Sequence, residues 1–154
     1  MTGCLIFSGC GKKDETAAAP APSAPANAVA SFEFTANDSM KFNLARIEAN
    51  AGQTVKVSMT NMGTMPKVAM GHNWVLLKKG SDVKVFADAA VTAAATDYVP
   101  AALADQVIAH TKLLGPKQSE EITFQAPAEP GEYPFLCSFP AHFLNGMKGV
   151  LVVK

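Results

Sequence analysis

The chain has 154 residues, enough for one domain with a modest tail. Thirteen basic and thirteen acidic side chains cancel, and charged residues make up only 17%, which excludes a nucleic-acid binder driven by phosphate contacts and a highly charged disordered chain. Hydrophobic residues reach 49%, yet no run attains the roughly 18 apolar residues of a membrane helix, and three cysteines, two of them within the first ten residues, exclude a disulfide scaffold.

Residues 1–9, MTGCLIFSG, are apolar and end in small residues before Cys10. Small residues followed by cysteine suggest a lipoprotein-type signal in which Cys10 is lipidated and becomes the new N-terminus. The segment is shorter than the usual 15–30 residues of a signal peptide and lacks a basic start. Either translation begins further upstream, or Cys10 is an incidental thiol. Residues 11–30, GKKDETAAAPAPSAPANAVA, are Ala/Pro-rich without a hydrophobic period, and read as a linker. A lipid anchor and such a spacer would tether a soluble domain to a membrane surface.

From residue 31 the pattern turns to strands. SFEFTA, part of MKFNLARIEA, TVKVSMT, HNWVLLK, VIAHTKLL, EEITFQA, EYPFLCSF and GVLVVK are rich in Val, Ile, Phe and Thr. Between them stand the turn signals NAGQ, NMGT, GPKQ and EPGE. Residues 81–104 are different: alanine-rich, helix-favouring and interrupted by Pro100. About eight strands and one helical excursion predict an all-β, antiparallel sandwich or barrel, with Trp74 and the phenylalanines in its core.

Three histidines occur: His72, His110 and His142. Cys137, His142 and Met147 stand at intervals of five on a loop between the last two predicted strands, and His72 opens an earlier strand. Two histidines, a cysteine and a methionine make the trigonal His₂Cys set with a weak axial thioether of a blue-copper site. Thiolate and thioether are soft and suit Cu(I), whereas imidazole also suits Cu(II). A mixed set therefore serves both oxidation states with little movement. Pro140 stiffens the loop, while Gly146 and Gly149 allow a tight return into the last strand. Singly, each residue has a plainer reading, as buried small hydrophobe, core packer or surface imidazole. The spacing and the β context together carry the copper reading.

AMGHNWVL (69–76), Asp97-Tyr98-Val99, VIAHTKL (107–113), CSFPAH (137–142) and MKGVLVVK (147–154) resemble azurin segments in the same order. The resemblance spans about Phe32 to Lys154 and includes the auracyanins. It implies that residues 31–154 form a Greek-key cupredoxin sandwich holding one copper ion, Cu(I)/Cu(II). By position, His72, Cys137 and His142 would be equatorial ligands, Met147 the axial one, and Gly71 the source of a weak axial carbonyl. Asn73 and Ser138 would tie the ligand segments together. Met70, Pro140, Ala141 and Phe143 would surround the His142 ring as an apolar docking patch. His110 falls where the family has a surface histidine outside the site.

Three departures stand out. The His142–Met147 loop is one residue longer than in azurin and resembles that of auracyanin. The structural disulfide of azurin has no counterpart. A second, non-ligand histidine of azurin falls on Asn61, so a pH-linked potential from that group is not expected.

The function implied is one-electron transfer in a periplasmic or otherwise extracytoplasmic space. The protein would be a monomeric carrier rather than an enzyme. Its partners would be redox proteins such as c-type cytochromes or copper/haem oxidoreductases, with the membrane reached through Cys10 and no nucleic acid involved. Copper storage, delivery or stress protection would use the same ligands. A thiol hydrolase built on Cys137 and His142 lacks an orienting acid and an oxyanion-hole motif. Structural zinc is disfavoured by the methionine.

Overall fold

The structure, a computed structural model, describes residue 1 and residues 28–154. Residues 2–10 of the expected signal, with Cys10, and residues 11–27 of the expected linker (11–30) lie outside the described residues, and Ala30, the last residue of that linker, already opens the first strand. Eight strands form two sheets. β1 (Ala30–Ala36), β3 (Thr54–Asn61) and β6 (Ser119–Gln125) make one in the order β1-β3-β6. The other is β2-β8-β7-β4-β5, built from β2 (Arg46–Ala49), β4 (Val75–Leu77), β5 (Val107–His110), β7 (Gly131–Leu136) and β8 (Lys148–Val153).

Alternation explains the packing. β3 alternates half-buried and buried positions along its eight residues, turning Val55, Val57, Met59 and Asn61 inward. Val55, Val57 and Met59 share one core with Trp74 and with Leu76, Tyr133, Phe135 and Leu151 of the second sheet. Phe34, Trp74 and Phe135 pack with ring centroids 5.3–5.6 Å apart, the separation that edge-on and tilted aromatic pairs favour.

The sandwich is not wholly antiparallel, as the strand pattern suggested. β1 runs parallel to β3, and β2 parallel to β8. After β1 the chain crosses to the second sheet as β2 before returning as β3. Two reversals leave β1 and β3 pointing the same way.

The helical excursion is also broken earlier than Pro100. An α-helix, α2, covers only Val83–Ala90, capped by Asp82, whose side chain accepts from the backbone N–H of Lys84 and Val85. It buries Phe86 and Ala90, with Phe86 packed among Val75, Leu77 and Leu136. Two 3₁₀ segments, Ala94–Thr96 and Ala101–Gln106, follow. Between them Asp97 and Tyr98 take positive φ of 54° and 62°, which no helix continues through. A one-turn helix, α1 (Lys67–Met70), precedes Gly71 and was not anticipated.

Strand directions define two poles. β1, β3, β5 and β7 end, and β4, β6 and β8 begin, at the same pole. Buried polar side chains gather there: Asn61, His72, Asn73, Thr111, Ser138 and His142. Gln53 is at the opposite pole, where its Nε2 donates to the Ala28 carbonyl at 2.6 Å. Polar groups are buried only at a cost unless they have partners, so their concentration marks the site.

Candidate metal centre

Two segments bring the ligands together. His72 lies just before β4, in an isolated bridge to Leu114: its N–H donates to the Leu114 carbonyl (3.1 Å), and the Leu114 N–H donates back (2.8 Å). Asn61 Nδ2 also donates to the Leu114 carbonyl, at 3.0 Å. The position of azurin's second histidine is thus filled by a buried amide that braces the His72 segment.

The anticipated strand from His72 is shortened to Val75–Leu77. Thr111 Oγ1 accepts from the Trp74 N–H at 3.0 Å, so a side chain replaces a ladder bond there. Gly71 leaves no room for a side chain. A Cβ would stand 2.7 Å from the Lys67 carbonyl oxygen and 2.8 Å from Leu113 Cγ.

The second segment leaves the end of β7. The Cys137 N–H donates to the Met147 carbonyl (3.0 Å), and the Met147 N–H to the His142 carbonyl (3.0 Å). These bonds close the loop and hold its two ends side by side. Ala141, at φ 69°, and Gly146, at φ 88°, make the turns.

His72, Cys137 and His142 are all buried, and their candidate ligand atoms lie within 4.8 Å of one another. Cys137 Sγ is 3.3 Å from His142 Nδ1. Neither ring nitrogen of His72 has a hydrogen-bond partner, although the residue is fully buried. Leaving buried nitrogens unpaired is costly, and a metal ion is the partner that answers for one of them. Two imidazoles and one thiol gathered in one buried cluster therefore fit copper, and Met147, whose backbone bonds to both Cys137 and His142, is buried too.

The electrostatics fit a neutral, dry site. Burial pushes the Cys137 thiol up to about 12, though the N–H groups of Asn73 and Phe139 favour the thiolate. Burial pushes His142 down to about 4, and His72 adds to that effect. His72 is lowered as well, chiefly by burial, with the Asp38 carboxylate opposing.

Around the ligands, the Asn73 carboxamide bridges the two segments: Oδ1 accepts from the Ser138 N–H at 2.8 Å, and Nδ2 donates to Ser138 Oγ at 2.8 Å. Of the anticipated docking residues, Ala141 is exposed, and Met70 and Pro140 are half-buried. Phe143 packs against the cluster of Val75, Phe86 and Leu136, with Lys148 Nζ 4.7 Å over its ring. Sequence reasoning missed Met65, Val68 and Leu144, which are exposed at the same pole. Their signal was apolar character in segments adjoining the ligands. His110 is exposed at the end of β5, apart from the cluster. Cys137 is a free, buried cysteine, so the domain holds its shape without azurin's disulfide.

Comparison with known proteins agrees with this geometry. Residues 28–154 match the family described as copper binding proteins, plastocyanin/azurin family. An azurin from Achromobacter denitrificans is 42% identical over 118 residues, covering 75% of this chain and 78% of that protein. Outer membrane protein H.8 of Neisseria meningitidis is 41% identical over 114 residues, covering 71% of this chain and 61% of that protein. The solved auracyanin of Roseiflexus castenholzii superimposes with a TM-score of 0.72 at 39% identity, over 80% of this chain and 96% of its own. The eight-stranded sandwich, the His72–Cys137–His142 cluster suited to a single copper ion and these likenesses together place the chain in the plastocyanin/azurin family of blue copper proteins.

Proposed function

We propose that the protein is a periplasmic or otherwise extracytoplasmic one-electron carrier that shuttles electrons between redox proteins. The observation that carries this reading is the buried His72–Cys137–His142 cluster beside Met147, held by backbone bonds from two different segments. Bound copper supplies the couple, Cu(II) to Cu(I). The residues supply a fixed frame. His72 is held by Leu114 and Asn61, Cys137 and Met147 hold each other's backbone, and Asn73 fastens one segment to the other. A frame that does not move between oxidation states keeps the reorganisation on electron transfer small. Met147 is the proposed axial ligand, and the Gly71 carbonyl the weak contact opposite.

Burial also separates a carrier from a delivery protein. His142 is 2% exposed, whereas a protein that hands over its metal needs open ligands. The exposed side chains of Met65, Val68, Ala141 and Leu144 give this pole an apolar surface suited to weak, fast docking of c-type cytochromes or copper/haem oxidoreductases. The test is reconstitution with Cu(II) at neutral pH, followed by mixing with a reduced c-type cytochrome. Intense red-region absorption with narrow copper hyperfine splitting is expected, then loss of colour at one electron per copper. A pale solution with wide splitting would overturn the carrier reading.

Cys10 is the proposed lipidation site, which would tether the domain through the Ala/Pro-rich linker that follows it. The H.8 relative, named as an outer membrane protein, supports that placement. Cys10→Ala is expected to release the protein from the membrane fraction, and unchanged retention would reject the anchor.

A further inference from the structure

The Asn73–Ser138 bridge is not self-sufficient. Asn73 Nδ2 carries two hydrogens and spends one on Ser138 Oγ; the hydroxyl of Ser138 has its own hydrogen to place. Both side chains are at most 1% exposed, so water is not at hand. The two missing acceptors come from the segment after α2. Asn73 Nδ2 donates to the Asp97 carbonyl at 2.8 Å, and Ser138 Oγ donates to the Tyr98 carbonyl at 2.7 Å.

Consecutive carbonyls point inward because Asp97 and Tyr98 both adopt the left-handed region, at φ 54° and 62°. Neither is glycine, so the conformation is strained, and it persists only where the surroundings over-determine it. Further bonds do so. The Tyr98 N–H donates to the Ala93 carbonyl (2.9 Å), and Thr96 Oγ1 donates to the Val99 carbonyl (2.7 Å). A separate contact leads to the other ligand. The Tyr98 ring meets Phe139 edge-on with centroids 5.0 Å apart, and Phe139 lies 4.7 Å from the His142 ring.

We infer that Asp97 and Tyr98 are positioning residues of the copper centre: their left-handed carbonyls lock Asn73 and Ser138, and so set how the His72 and Cys137 segments face each other. The strain is placed where it orients ligands, and the early end of α2 serves that placement. Neither residue touches the metal. Both act through the bridge, as outer partners of metal ligands do.

A matched pair of variants in the full chain tests this. Asp97→Gly and Asp97→Val both remove the carboxylate, which lies 4.0 Å from Lys67 Nζ. Only valine is driven out of the left-handed region. Asp97→Gly is expected to keep the parent's spectrum and copper affinity. Asp97→Val is expected to shift the thiolate-to-copper absorption, widen the copper hyperfine splitting and weaken copper binding by about 10–100-fold, the range for outer-shell partners. In the metal-free protein, hydrogen exchange at the Ser138 amide should quicken in the valine variant alone.

A folded Asp97→Val with parental spectrum, affinity and exchange would overturn the proposal. Should that variant not fold, Ser138→Ala carries the test, because it removes the donor to Tyr98. Its absorption should shift, and the Tyr98 and Val99 amides should exchange faster, with Ser138→Thr restoring both. No change in Ser138→Ala would equally overturn it. The proposal rests on the copper reading in its spectroscopic arm only. The exchange arm is independent of metal, so failure of the copper reading and failure of the positioning role are distinguishable.

Discussion

Replacing Cys137 by serine is expected to abolish the intense red-region absorption of the copper-loaded protein while leaving the sandwich folded. The colour requires a short bond from copper to a thiolate. Serine offers a harder oxygen that keeps its proton at neutral pH, so copper retained by His72 and His142 alone gives a pale solution with wide hyperfine splitting. The fold should survive because the substitution removes little volume and no backbone bond. The Cys137 N–H still donates to the Met147 carbonyl, and the N–H groups of Asn73 and Phe139 remain to face the new hydroxyl. Copper affinity should fall by more than about 100-fold, beyond what loss of an outer-shell partner produces. Visible and electron paramagnetic resonance spectra, with a copper titration, check this. A serine variant that stays blue would remove Cys137 from the ligand set.

The second large effect is in protons. The metal-free protein at pH 7 holds a protonated Cys137 thiol, raised to about 12, and a neutral His142, lowered to about 4. His72 is lowered below its ordinary 6.5 and is neutral too. Copper needs a thiolate and two neutral imidazoles, so its uptake should release close to one proton per ion near neutrality. Unbuffered titration with a pH electrode, or calorimetry in buffers of different ionisation heat, measures the count. Two or three protons would mean that a histidine is charged in the metal-free site.

The same shifts set the stability of the metal-free protein. Below pH 6.5 the unfolded chain takes up protons that His142 refuses until about 4, so stability falls as pH drops through that window. Above pH 9.0 the unfolded thiol ionises while Cys137 holds its proton to about 12, so stability falls again as pH rises. Maximum stability should lie between. Bound copper fixes the deprotonated ligands and should flatten the alkaline limb, which thermal melts with and without metal would show.

Three of the four proposed donors could be read together because they sit in one eleven-residue stretch, Cys137 to Met147, whose spacing is a local property. Strands were legible for a similar reason: in β3 the period-two alternation of Val55, Val57 and Met59 follows directly from which face is buried. The membership of His72 in the set was read from its residue type and its place before a strand, not from any local spacing to that loop. Its geometry depends on β4 pairing with β7 across the sheet, which no local pattern contains.

The excursion after Leu77 shows the limit most clearly. Alanine-rich composition speaks for helix over 81–104, but the chain leaves the α-helix after Ala90. Beyond it, the carbonyls of Asp97 and Tyr98 turn to Asn73 and Ser138. Backbone acceptors have no side-chain signature, and any residue type supplies one.

Composition, strand alternation and the Cys137–His142–Met147 spacing thus determined the fold class and the identity of the metal, because these depend on residue type and near-neighbour order. Tertiary structure alone decided the parallel strand pairs, the exposed apolar rim of Met65, Val68 and Leu144, and the Asp97–Tyr98 clamp. Each of these arises where segments distant in sequence meet and burial obliges a polar group, or leaves an apolar one, without a partner of its own.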